Sequence, residues 1–209
     1  MQGILISIEG PDGAGKTTQI SLLKQYLEQK GFSCILTREP GGTKISEKIR
    51  HLILDKENSK MGAVTEMLLY SAARAQLVHE VIRPALEEGK VIICDRYVDS
   101  SAVYQGIARN LGVDTVYEVN EYAIQGIWPD LTIHLDLEAE EGIRRKKHQA
   151  ELDRMELETM DFHKKVCEGY RILAKRDPKR IMTIDAMLSV EDIHERIKEQ
   201  LEVVMENIK

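Results

Sequence analysis

Eight residues near the start, GPDGAGKT at 10–17, constrain this chain more than any other feature. They match G-x-x-x-x-G-K-[ST], a loop whose backbone cradles phosphate oxygens. An apolar run, ILISIE at 4–9, precedes it, and apolar residues at helical spacing, Ile20, Leu23 and Leu27, follow. Gly10, Gly13 and Gly15 let the chain curl so that N–H groups point inward, with Pro11, Asp12 and Ala14 at the variable positions. The helix starting near Lys16 adds the positive end of its dipole. In such a loop Lys16 reaches the β- and γ-phosphates of a nucleoside triphosphate, and Thr17, followed by Thr18, ligates Mg²⁺. The reaction is left open. No guanine-reading NKxD element of a GTPase switch is present.

The rest of the chain sets the architecture. Short apolar runs at 4–9, 34–38, 90–95, 131–137 and 180–185 alternate with helical patterns at 16–30, 44–54, 63–88, 101–109, 113–126 and 155–176, and in a last helix after Ser189. Ser189 and Asp192 have the spacing of a capping box. Near-continuously apolar strands separated by helices specify an α/β fold, a five-stranded parallel sheet with helices on both faces. The length of 209 residues suits one domain spanning 1–209, with the charged stretch at about 138–156 as a surface excursion. Helix 63–88 is apolar around so much of its circumference that it predicts burial on two sides, core on one and a second subunit on the other.

Composition excludes several classes. With 43% hydrophobic and 31% charged residues the chain is an ordinary globular one. Its longest apolar stretches, such as VIIC at 91–94, are far below the roughly 20 residues of a membrane span, so no membrane role is expected. The first ten residues lack a basic region and run straight into the strand and loop, which argues against a signal peptide. A net charge of −6 disfavours nucleic-acid binding. Cys34, Cys94 and Cys167 are widely spaced, as free thiols of a reducing cytoplasm would be. The six histidines (51, 79, 134, 148, 163 and 194) form no zinc-binding pattern.

The acceptor side is written in DRYVDSSAVYQG at 95–106 and REPGGT at 38–43. Asp95 stands at the carboxyl end of the third strand, beside the phosphate loop in a sheet of this type, where it can hold the Mg²⁺ water shell. Arg96 and Arg38 end two strands and can clamp a phosphate bidentately.

Together EGPDGAGKTT, REPGGT, DRYVDSSAVYQG and the region around ELDRMELE resemble the thymidylate kinase family over residues 4 to about 170. The resemblance implies a P-loop nucleoside monophosphate kinase-like fold and transfer of the ATP γ-phosphoryl group to dTMP, giving dTDP for dTTP synthesis. It implies Arg38 and Arg96 as acceptor-phosphate ligands, with Arg50 as a further contact. It puts Asp12 near the 3′-hydroxyl and bridging phosphate, Tyr70 against thymine and Arg74 at the base O4. Ser101 and Gln105 approach the pyrimidine ring, and Tyr104 crowds the 2′ position. Family members place an extra arginine either in the phosphate loop or in a mobile lid. The loop here has none, which directs attention to GIRRKKHQAELDR at 142–154: Arg145, Lys147 and Arg154 first, then Arg144. Gln149 stands where some lid-arginine relatives have a basic residue. A homodimer through helix 63–88 is also implied. The alternatives are a P-loop kinase for another small acceptor, or a switch that binds ATP and transfers nothing.

Overall fold

The computed structural model describes residues 3–146 and 152–207. Lys147 and Gln149 lie outside the described residues. The sheet contains β1 (Ile4–Glu9), β2 (Cys34–Arg38), β3 (Val91–Asp95), β4 (Leu131–Asp136) and β5 (Ile181–Asp185). They run parallel in the order β2-β3-β1-β4-β5. Side chains alternate across the pleat, so Ile4, Ile6, Ile8, Val91 and Ile93 pack on one face, and Leu5, Ile92 and Cys94 on the other. Helices α1 (Lys16–Gln29) and α9 (Val190–Asn207) cover the first face, where Leu23, Leu27, Ile197 and Leu201 are fully buried. Truncating such a side chain to Ala costs about 2–5 kcal/mol. The Ser189 hydroxyl accepts the Asp192 N–H at 3.0 Å, so the capping box forms.

Helix α2 (Lys44–Leu54) packs on α3 (Ala63–Leu77). The single helix expected over 63–88 is interrupted. α3 widens into a π-turn at Val78–Ile82 before α4 (Arg83–Glu87). Pro84 is the physical reason: it has no N–H to give, and its ring needs room in the preceding turn. A second π-turn, Ala102–Ala108, continues α5 (Val98–Ser101) where 101–109 reads as ordinary helix. This wider turn swings Tyr104 and Gln105 toward the carboxyl ends of the strands. Then come α6 (Val113–Ile124), α7 (Ala139–Lys146) and α8 (Met160–Arg176). α8 starts five residues later than 155 because Thr159 caps it, accepting the Phe162 N–H at 3.3 Å. Residues 153–156 instead form a turn, in which the Asp153 carboxylate accepts the N–H groups of Met155 and Glu156.

No helix among the described residues is long and apolar enough to cross a membrane. All three cysteines are free thiols.

Candidate active site

A cavity of about 480 Å³ opens at the carboxyl ends of β1, β2 and β3. The phosphate loop forms one end. Gly10, Gly13 and Gly15 have φ of 136°, 80° and 91°, conformations that side chains resist. Lys16 folds back over the loop and donates to the carbonyls of Gly10 (3.1 Å) and Pro11 (3.0 Å). Burial, and next the Arg96 charge, push its ammonium down to about 8. The first turn of α1 holds no acidic side chain, so nothing of its own neutralises the dipole there. Thr17 is exposed at that turn.

Arg96 follows β3 with φ 68°, a left-handed conformation that costs about 1–3 kcal/mol at a non-glycine residue and clusters at functional sites. The strained backbone aims its guanidinium across the loop. It donates to Asp12 (2.8 Å) and to the Tyr170 hydroxyl (3.1 Å), and lies 5.3 Å from the Tyr104 ring centroid. Burial tends to raise the Asp12 carboxyl, but Arg96, Lys16 and Lys146 override it and hold Asp12 well below the carboxylate range. Under Arg96 sits Glu9, fully buried, which accepts from the Tyr97 N–H (2.7 Å), Ser100 (2.6 Å) and Tyr170 (3.0 Å). Burial, then the Asp99 charge, raise Glu9 to about 7. Asp95 also lines the cavity, and its Oδ1 is buried without a hydrogen-bond partner among the described residues.

The other end is lined from helices. Tyr70 and Arg74 project from α3 one turn apart. Arg74 is 1% exposed and bonds to Glu39 (Nε, 2.8 Å), Asn120 (2.5 Å) and Ser101 (3.0 Å). Arg38 is half-exposed beside Glu47 (2.9 Å), and Arg50 donates to the Pro40 carbonyl (2.8 Å). Ser101, Tyr104 and Gln105 complete the wall. The fold thus gathers into one cavity every acceptor-side residue expected from the sequence. Of the loop, Asp12, Gly13, Gly15, Lys16, Thr17 and Thr18 face it; Gly10, Pro11 and Ala14 lie behind.

The charged segment divides. α7 rests on the loop through a glycine pair: a Cβ on Gly142 would come 2.5 Å from the Asp12 carbonyl, and one on Gly13 2.6 Å from the Gly142 carbonyl. Arg145 reaches the cavity and donates to the carbonyls of Gly13 and Ala186, both 3.3 Å. Arg144 is exposed and pairs with Glu141. Arg154 does not face the cavity. It is 6% exposed, donates to the Ile53 carbonyl (2.6 Å) and pairs with Glu66 (2.7 Å). Lys146, which sequence reasoning did not single out, lies 3.6 Å from Asp12 and pairs with Glu156. Sequence reasoning also passed over Glu9, Glu39, Glu66, Arg109 and Tyr170. Only Glu9 carries a local signal, a carboxylate ending an apolar run just before a glycine loop.

A family model for thymidylate kinase matches residues 8–197. Thymidylate kinase from Thermoanaerobacter sp. (strain X514) is 53% identical over 197 residues, covering 94% of this chain and 96% of that protein. Thymidylate kinase from Caldanaerobacter subterraneus subsp. tengcongensis is 47% identical over 209 residues and covers both chains fully. The crystal structure of thymidylate kinase from Ehrlichia chaffeensis matches with a TM-score of 0.78 at 29% identity, covering 96% of this chain and 99% of that one. Motifs, fold and sequence agree, and the chain belongs to the thymidylate kinase family.

Proposed function

We propose that the cavity performs this family's reaction, transfer of the ATP γ-phosphoryl group to dTMP to give dTDP, with the following division of labour. The carrying observation is convergence: Lys16, Arg38, Arg96, Tyr70 and Tyr104, from separate segments, line one cavity with a phosphate loop at one end. The nucleophile is a phosphate oxygen of dTMP. A phosphate monoester, with a second pKa near about 6, is largely dianionic at pH 7 and needs no general base. The barrier is the in-line approach of two polyanions, which positive charge and exclusion of water lower.

Lys16 and the N–H groups of the loop hold the donor phosphates. Arg96 and Arg38 hold the acceptor phosphate, with Arg50 behind them, and Asp12 keeps Arg96 aimed. Tyr70 stacks on thymine, Arg74 donates to O4, and Ser101 and Gln105 meet the ring edge. Tyr104 fills the place of a ribose 2′-hydroxyl. Arg145 serves the donor phosphates, and Arg154 in the conformation described serves Glu66. The unpartnered Asp95 oxygen and the exposed Thr17 hydroxyl suit Mg²⁺, which takes one or two protein oxygens and otherwise water and phosphate. When bound, the ion neutralises charge on the phosphates.

The segment at about 138–156, of which 147–151 lie outside the described residues, serves as the lid, and its described part rests on the phosphate loop at the Gly13–Gly142 contact. The chain pairs as a homodimer through α3, whose Val64 and Leu68 are 55% and 50% exposed. Free thiols suit a reducing cytoplasm.

Coupled ADP release with Mg-ATP, comparing dTMP, dUMP, UMP, dCMP and AMP, tests the reading. Turnover is expected to be strong with dTMP, weaker with dUMP and negligible with the rest. Preference for another monophosphate would overturn the roles of Tyr70, Arg74 and Tyr104, and ATP binding without any acceptor-stimulated release would restore the switch.

A further inference from the structure

Oε1 of Gln105, a side chain only 1% exposed at the base end of the cavity, is a buried polar atom with no hydrogen-bond partner among the described residues. Its Nε2 is spoken for, donating to Glu66 at 2.9 Å. Glu66 is itself fully buried, on the first turns of α3. Its carboxylate also accepts from Arg109 at 3.1 and 3.0 Å and pairs with Arg154 at 2.7 Å. Burial works against the ionised form, but the hydrogen bonds from Arg109 and Gln105 and the flanking charges win, and Glu66 is held below the usual range. A carboxylate without its proton can only accept.

An amide has two ends of nearly equal shape, and either could face a ligand. Here chemistry decides. The amide NH₂ must face the acceptor-only carboxylate, so the carbonyl must face the cavity. We propose that Glu66 is a specificity-positioning residue that fixes Gln105 with its carbonyl toward the nucleobase, where it accepts a ring N–H and repels a ring nitrogen lone pair. The inference rests on the reading of this wall as the base site and deepens it. Thymine and uracil carry an N–H at ring position 3; cytosine carries a lone pair there. With Arg74 donating to the neighbouring oxygen, the wall presents donor then acceptor, the complement of the thymine edge and the inverse of the cytosine edge. Arg109 and Arg154 thereby bear on base choice while touching no base.

Glu66→Gln is the test, because an amide at 66 can donate as well as accept and frees Gln105 to turn over. Steady-state kinetics with dTMP and dCMP should show the dTMP KM rising, the dCMP KM falling, and the ratio of kcat/KM values shrinking by about tenfold, while kcat at saturating dTMP changes little. Glu66→Asp, which keeps the acceptor-only group, should retain the ratio. In a Gln105→Leu background, Glu66→Gln should no longer move it. Equal losses for both nucleotides in Glu66→Gln would mean a merely structural role and overturn the proposal. Failure of the unaltered protein to prefer dTMP over dCMP would instead overturn the base-site reading beneath it.

Should Glu66→Gln not fold, the Gln105 side-chain amide protons of the unaltered chain, assigned by their loss in Gln105→Leu, decide the matter by NMR. Protection from solvent exchange without ligand, and little change on adding dTMP, supports the proposal. Free exchange, or a large shift on adding dTMP, places the NH₂ toward the nucleotide and overturns it.

Discussion

The two ends of the cavity handle charge in opposite ways. At the phosphate end, Lys16 has only carbonyls within hydrogen-bond distance among the described residues, with Asp12 at 3.9 Å, and the first turn of α1 carries no acid. At the base end three arginines already have a carboxylate: Arg74 on Glu39, Arg109 and Arg154 on Glu66. On the proposed roles, the phosphate end keeps the Lys16 charge in reserve for a polyanion that arrives from solvent, whereas the base end meets a neutral ring with these arginine charges cancelled beforehand and only direction remaining. An electrostatic trap and a prefabricated template thus sit a few residues apart.

That contrast breaks first at Arg74. Replacing it with Met strands the buried Glu39 carboxylate and should cost about 3–5 kcal/mol of stability, read from urea unfolding. Adding Glu39→Gln should restore much of the loss; if it restores none, the pair is not a closed unit. Next, Lys16→Ala should lower kcat by about 10³-fold, roughly 4 kcal/mol in the barrier, yet leave unfolding free energy nearly unchanged. A large stability loss there would erase the distinction between the two ends.

The smallest effect concerns pH. Glu9 and His134 face each other in register on β1 and β4. Buried Glu9, raised to about 7, holds its proton better folded than unfolded, so its share of stability fades as pH rises from about 4.5 to 7. His134 is depressed to about 4, by burial first and next by Arg171 against the pull of Asp136, and its share fades as pH falls from about 6.5 to 4. The slopes oppose. Melting temperature between pH 4.5 and 7 should climb more steeply in Glu9→Gln than in the parent, and His134→Phe should tilt it the other way. Identical slopes in all three would remove both assignments.

Legibility in the sequence followed the same divide. The five strands could be read because each is a short apolar run set between helical patterns. The loop, Arg38, Arg96 and Asp95 could be read because contiguous residues carry them. What escaped depends on partners far along the chain: Glu66 gains its meaning from Gln105, Arg109 and Arg154, and Glu9 from Ser100 and Tyr170. Periodicity also smoothed over both π-turns, since Pro84 was only one residue inside an apolar stripe, and nothing in AVYQGIA announces a wider turn. Arg154 shows the converse limit of scale. Its place in the expected lid segment suggested phosphate, whereas in the conformation described it is buried against a carboxylate.

The contact between Gly13 and Gly142 has a bearing on how such a chain can change over generations. Each glycine leaves no space for a methyl group on the other's segment. The usual stabilising exchange of a loop or helix glycine for alanine is therefore closed at both sites. Each clash is with backbone atoms that any residue carries, so altering one glycine gives the other no relief, and among relatives each position should hold glycine on its own account, a constancy imposed by the thickness of one carbon atom.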